Sequence, residues 1–255
     1  MAPSSFLNNT WAFNSSEPSC LADTTDEQCF TIRGGTYNPS ISTTASDKLD
    51  VFAAGGDPSD TDRALGTHIW HSDWAKDTLE VGNVTLEGFP IGMPGFDFGG
   101  IFDTQANIGL GRNSTLLNAL YDAGKISSRT YSYWWGLNSA SSSNSMDGQL
   151  VLGGYDAAKI TGPNITQKLW PSTVSCGSGM YLTVINMILG FPNGTKADML
   201  APSTLSACVQ LDFPAIASPR YDPFFQRFEG LAGISKANDT ASLPWDVPSY
   251  KIAGE

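Results

Sequence analysis

Three short stretches decide how this chain is read: Ile108-Gly109-Leu110-Gly111, Tyr121-Asp122-Ala123-Gly124-Lys125-Ile126 and Leu150-Val151-Leu152-Gly153-Gly154-Tyr155-Asp156. The first is an apolar run broken by glycines, as where backbones approach closely. Between the first and second, Ser114 or Thr115 can cap a helix that carries Leu116, Leu117, Leu120 and Tyr121 on one side. Gly124 supplies its stop. The third is a strand running into a Gly-Gly turn. Together they predict a strand, a short helix and a further strand packed as one unit.

Upstream, the chain reads as short strands between turns: Thr10–Phe13, Leu49–Phe52, Thr78–Val81, Val84–Glu87 and Phe89–Gly92. Gly82-Asn83 between two alternating runs predicts a hairpin. The segment from Ala53 to Thr67 carries Asp57, Asp60 and Asp62 without the terminal Glu of a calcium loop, and reads as a solvated acidic loop. Tyr131–Trp135 and Gln149–Leu152 read as strands flanking a Ser-rich exposed loop, Ser139 to Ser145. Beyond Pro163, strands are expected at Thr166–Leu169 and Met180–Val184, and a short helix from Pro223 to Glu229. Two domains follow, residues 1–165 and 166–255.

Composition agrees with a turn-rich β protein. Hydrophobic residues make up 41%, charged residues only 15%, with 26 Gly and 15 Pro in 255 residues. The net charge of −11, with only 14 scattered Lys and Arg, speaks against a nucleic-acid partner. No stretch of 18 apolar residues predicts a membrane span.

Four cysteines, Cys20, Cys29, Cys176 and Cys208, fall in two groups whose spacing fits disulfides and no zinc pattern. Asn8, Asn14, Asn83, Asn113, Asn164, Asn193 and Asn238 head Asn-x-Ser/Thr sequons, against roughly three expected by chance. Both features point to an extracellular or cell-surface chain with N-glycans. The N-terminus shows neither the basic nor the apolar region of a signal peptide.

No Walker or dinucleotide glycine loop and no Gly-x-Ser-x-Gly elbow is present, so neither a cofactor nor a metal is expected. His68 and His71 are the only histidines and read as a surface pair rather than metal ligands. The seven Trp offer a carbohydrate platform in principle, but core packing is the simpler use of rings in sheets.

The succession from Ile108 to Pro163 resembles the pepsin-like aspartic proteases, of fungal type. Cys20 and Cys29, followed by Arg33-Gly34-Gly35-Thr36-Tyr37-Asn38-Pro39-Ser40-Ile41-Ser42-Thr43-Thr44, resemble the small disulfide loop and following segment of that family. The resemblance implies an all-β, bilobal fold with a complete-looking N-terminal lobe, a partial C-terminal lobe and a chain truncated at both ends. It also implies a peptide-binding cleft with one catalytic Asp from each lobe.

Here the catalytic pattern is degenerate. Counting back from Trp11 puts Ser4, Ser5, Phe6 and Leu7 on the family's Asp-Thr-Gly-Ser positions, so Ser4 stands for the Asp and Phe6 for the glycine of its tight loop. Asp212 falls on the second motif, followed by Phe213 and Pro214. The interval before Asp77-Thr78-Leu79 lacks the family's flap tyrosine. Aspartic proteolysis needs two adjacent carboxylates sharing one proton. A non-catalytic domain that binds a peptide or protein is therefore the expectation, with an acid endopeptidase as the alternative.

Overall fold

The computed structural model describes residues 1–16, 25–60, 69–94, 106–136, 146–163, 165–171, 176–191, 193–200, 202–211, 227–228 and 230–231. Among the described residues strands outnumber helices, as the composition implies. The chain divides into two compact units, Met1–Met180 with Cys208–Pro214, and Tyr181–Ala207 with Ala215–Glu255.

The first unit is organised on a long hairpin. β4 (Asp73–Val81) and β5 (Val84–Met93) pair antiparallel around the Gly82-Asn83 turn, where Gly82 takes φ 60°. The sequence suggested two strands after the turn. One forms instead, because Gly88, at φ 62°, absorbs the register shift opposite Asp77 and Leu79 as a bulge.

β1 (Ala2–Ser4) lies parallel to β6 (Asn107–Gly109). Residues 10–12 then stitch β5 to β6. Trp11 exchanges backbone hydrogen bonds with Asn107, while Gly92 N donates to Thr10 O and Ala12 N to Gly92 O. β2 (Phe13–Asn14) and β3 (Thr36–Tyr37) pair beside them. β7 (Tyr131–Trp134) and β8 (Gln149–Leu152), both expected as strands, form an antiparallel pair.

Among its described residues, three α-helices punctuate this unit. α1 (Asp26–Ile32) opens on a capping box between Thr25 and Gln28. α2 (Val51–Ala54) replaces the strand expected at Leu49–Phe52. The Asp50 carboxylate caps it by accepting from Phe52 N and Ala53 N, and Gly55 ends it at φ 82°. α3 (Thr115–Asp122) starts from the predicted cap, with Leu117 N donating to Ser114 Oγ, and stops before Gly124 at φ 65°.

Among the described residues, two apolar clusters hold the unit together. One joins Ala12, Leu86, Phe89, Ile91 and Leu110 to Leu116, Leu117 and Leu120 of α3. Each of those three leucines contributes about 1.5–3 kcal/mol by leaving water. The other gathers Leu7, Trp11, Val51, Ala54, Ile69 and Trp74, with the two indoles edge to face at 5.0 Å. Those rings are core, whereas Trp135 and Trp170 are exposed.

In the second unit, β9 (Tyr181–Val184) pairs with β12 (Leu205–Cys208), and β10 (Ile188–Gly190) pairs antiparallel with β11 (Lys196–Asp198). The strand expected at Thr166–Leu169 does not form. The Ser-rich loop and most of the helix expected from Pro223 lie outside the described residues. Among the described residues, no helix is long and apolar enough to cross a membrane.

Candidate functional site

The segment following β1 is threaded against the segment following β6. Leu110 N donates to Ser4 O at 2.8 Å, Gly111 N to Leu7 O at 2.7 Å, and Thr115 N to Asn8 O at 2.9 Å. Such proximity requires glycine. A Cβ on Gly109 would lie 2.3 Å from Asn9 O, and one on Gly111 2.5 Å from Asn8 Oδ1 and 2.8 Å from Leu7 O. The Ile108-Gly109-Leu110-Gly111 pattern is thus the imprint of the loop it cradles.

Ser4 ends β1 with no exposed surface, and its Oγ accepts from Leu7 N at 3.2 Å. A hydroxyl here is neither a general base of carboxylate strength nor half of a shared-proton pair. Phe6, on the expected glycine position, is accommodated from the other side. A Cβ on Gly177 would lie 2.8 Å from Phe6 Cβ, so the ring has room only because residue 177 has no side chain. Ser5 Oγ accepts from Leu211 N at 3.3 Å, across 206 residues of sequence. Asp212, the next residue, lies outside the described residues.

The acidic loop corrects the sequence reading. Asp57 and Asp60 are 8% and 4% exposed, buried rather than solvated, because amide donors of the threaded segment meet them. Asp60 Oδ1 accepts from Asn8 N at 2.5 Å, and Oδ2 accepts from Asn9 N at 3.0 Å and Asn9 Nδ2 at 2.7 Å. Asp57 Oδ2 accepts from Asn8 Nδ2 at 3.0 Å and Asn113 Nδ2 at 2.6 Å, while Oδ1 accepts from Ser59 N. Asn9 closes the network by accepting from Asp57 N and donating to Asp57 O.

All four carboxylate oxygens therefore accept N–H bonds, which suits fastening rather than water activation. Burial pushes the Asp60 carboxyl up to about 6, with Asp57 adding to the push, against three donors that pull it down. Asp62 lies outside the described residues. The available sequence signal was Asn8-Asn9, two adjacent amides in a segment that Leu7 and Trp11 pull into the core, where donors need acceptors.

A third carboxylate, Asp77 of β4, fastens the segment after β3. It accepts from Tyr37 Oη at 2.7 Å, Ser42 Oγ at 2.9 Å, Thr44 Oγ1 and Thr78 N. Burial alone would raise it, but these donors together hold it below its ordinary value. Tyr37 is raised, by burial first and by Asp77 second. Two polar atoms of the threaded segment, Thr10 Oγ1 and Trp11 Nε1, are buried without a partner among the described residues.

Cys176 and Cys208 form a disulfide with Cα atoms 5.5 Å apart. Cys29, in α1, is disulfide-bonded, and Cys20 lies outside the described residues. Of the sequons, Asn83 and Asn193 are exposed, Asn14 and Asn8 are half-buried, and Asn164 and Asn238 lie outside the described residues. Asn113 is exposed, with its amide tied to Asp57. His71 is exposed at the end of a 3₁₀ turn, and His68 lies outside the described residues, as does the flap interval up to that histidine. No three His, Cys, Asp or Glu gather as metal ligands among the described residues.

No protein-family model matches this sequence, and no curated protein sequence does. Among solved structures, the aspartic proteinase from Irpex lacteus aligns with 93% of this chain at 18% identity and a TM-score of 0.49. The chain spans 62% of the length of that proteinase.

Proposed function

We propose that this chain is a pepsin-like domain that has lost its catalytic dyad and binds a peptide or protein without cutting it. The observation that carries this reading is Ser4: fully buried, hydrogen-bonded to Leu7 N, and standing where the resemblance expects the first catalytic Asp. Further support comes from Phe6 on the glycine position and from the Ser5–Leu211 hydrogen bond, which brings the neighbour of Asp212 to the Ser4 loop. A lone carboxylate at Asp212 would lack the partner whose charge splits the two titrations, so it could not supply both acid and base. An extracellular, glycosylated setting fits the disulfide and the sequons.

The test is digestion of an unfolded protein substrate at about pH 4, with and without pepstatin, beside a screen of displayed peptides for binding. The expected result is no pepstatin-sensitive cleavage and a set of bound peptides sharing a motif. Pepstatin-sensitive cleavage would establish the acid endopeptidase instead.

A further inference from the structure

We propose that the fold sorts the sequons, so that Asn83 and Asn193 carry N-glycans while Asn8 stays bare in the folded protein. The inference rests on the reading of this chain as secreted. Transfer forms a bond from the Asn Nδ2 to the anomeric carbon of a pyrophosphate-activated oligosaccharide, breaks that carbon's bond to the pyrophosphate oxygen, and releases the amide proton. The acceptor nitrogen must then carry a bulky, solvated group in the native state.

Asn83 meets that requirement at the tip of the β4–β5 hairpin, exposed, with the sequon's Thr85 also exposed two residues along β5. Asn193 is exposed beside Gly194 at φ 83°, and its Oδ1 accepts from Thr195 N at 3.0 Å and Thr195 Oγ1 at 2.7 Å. The sequon hydroxyl is thereby held on the carboxamide oxygen of an exposed turn.

Asn8 is the opposite case. Its Nδ2 donates to the buried Asp57, its Oδ1 accepts from Asn113 N at 3.0 Å, and that oxygen lies where a Cβ on Gly111 would collide. The sequon's other residues, Asn9 and Thr10, are 0% and 2% exposed. A sugar on Asn8 Nδ2 would have to fit between the threaded segment and the Asp57 carboxylate. Chains modified there before folding would therefore fail to close the Asn8–Asp57–Asn113 contacts and would drop out of the folded pool.

The experiment is expression of the whole chain behind a secretory leader in a eukaryotic host, followed by purification of the folded monomer. Enzymatic deglycosylation in heavy-oxygen water converts each glycan-bearing Asn to labelled Asp, which peptide mass spectrometry locates. Label at 83 and 193 and none at 8 is expected, with Asn83→Gln and Asn193→Gln each removing one glycan step on a gel. Label at 8 in the folded protein overturns the proposal, and so does the absence of label at 83 or the absence of label at 193. A chain glycosylated in this pattern that binds no peptide sinks the binding reading alone. One that binds peptide but lacks both glycans sinks this inference alone.

Discussion

Replacing Asp60 by Asn removes one titration while keeping the side chain's volume. Burial raises the folded-state value to about 6 from an ordinary 3.8. Between those values the native chain holds a proton that the unfolded chain releases. The stabilisation is thus fully present below the unfolded value and is lost as pH rises through about 6. The gap corresponds to about 3 kcal/mol. Asp60→Asn abolishes this dependence but leaves one carbonyl oxygen to serve three donors and turns an NH2 toward them, a cost of about 1–3 kcal/mol at all pH values.

The variant should therefore be clearly less stable than the parent at about pH 4 and close to it, or slightly more stable, at about pH 7. Urea denaturation followed by tryptophan fluorescence measures this, since Trp11 and Trp74 are buried in the same unit. Comparing the variant with the parent at each pH cancels the carboxylates that do not interact with Asp60, leaving Asp57 as its coupled acid. If the stability difference changes by less than about 1 kcal/mol between the two pH values, Asp60 is not held protonated by the fold and the argument is refuted.

Asp77 has the opposite sign. Its donors hold it below the ordinary carboxylate value, so it stabilises above that value and the contribution disappears as pH falls through its depressed one. Asp77→Asn should flatten the acid arm of the stability profile, read by thermal unfolding from about pH 5 downward. Gly109→Ala places a methyl 2.3 Å from Asn9 O, a backbone atom that cannot rotate away. It should cost more than about 3 kcal/mol, or prevent cooperative unfolding in a calorimeter altogether. Exchanging both Cys176 and Cys208 for Ser opens a link across 32 positions and should lower stability by about 3–4 kcal/mol in denaturant titration.

What the sequence by itself determined was local. The hairpin at Gly82-Asn83, the capped and stopped α3, and the strands β7 and β8 were legible because turn chemistry, capping and periodicity act within a few residues. Helix α2 was also written locally, in Asp50 as cap and Gly55 as stop, but the apolar run at Leu49–Phe52 suggested a strand instead. The placement of Ser4 came from counting back from Trp11, which required a family resemblance as well as residues. Tertiary structure alone decided the fate of the acidic loop. Asp57 and Asp60 read as solvent-facing until Asn8, Asn9 and Asn113, roughly fifty residues away on either side, brought them donors. The same holds for Ser5 and Leu211, whose contact spans 206 residues. Charge and spacing say which groups can bond. Only the folded chain, by withdrawing them from water, decides that they must.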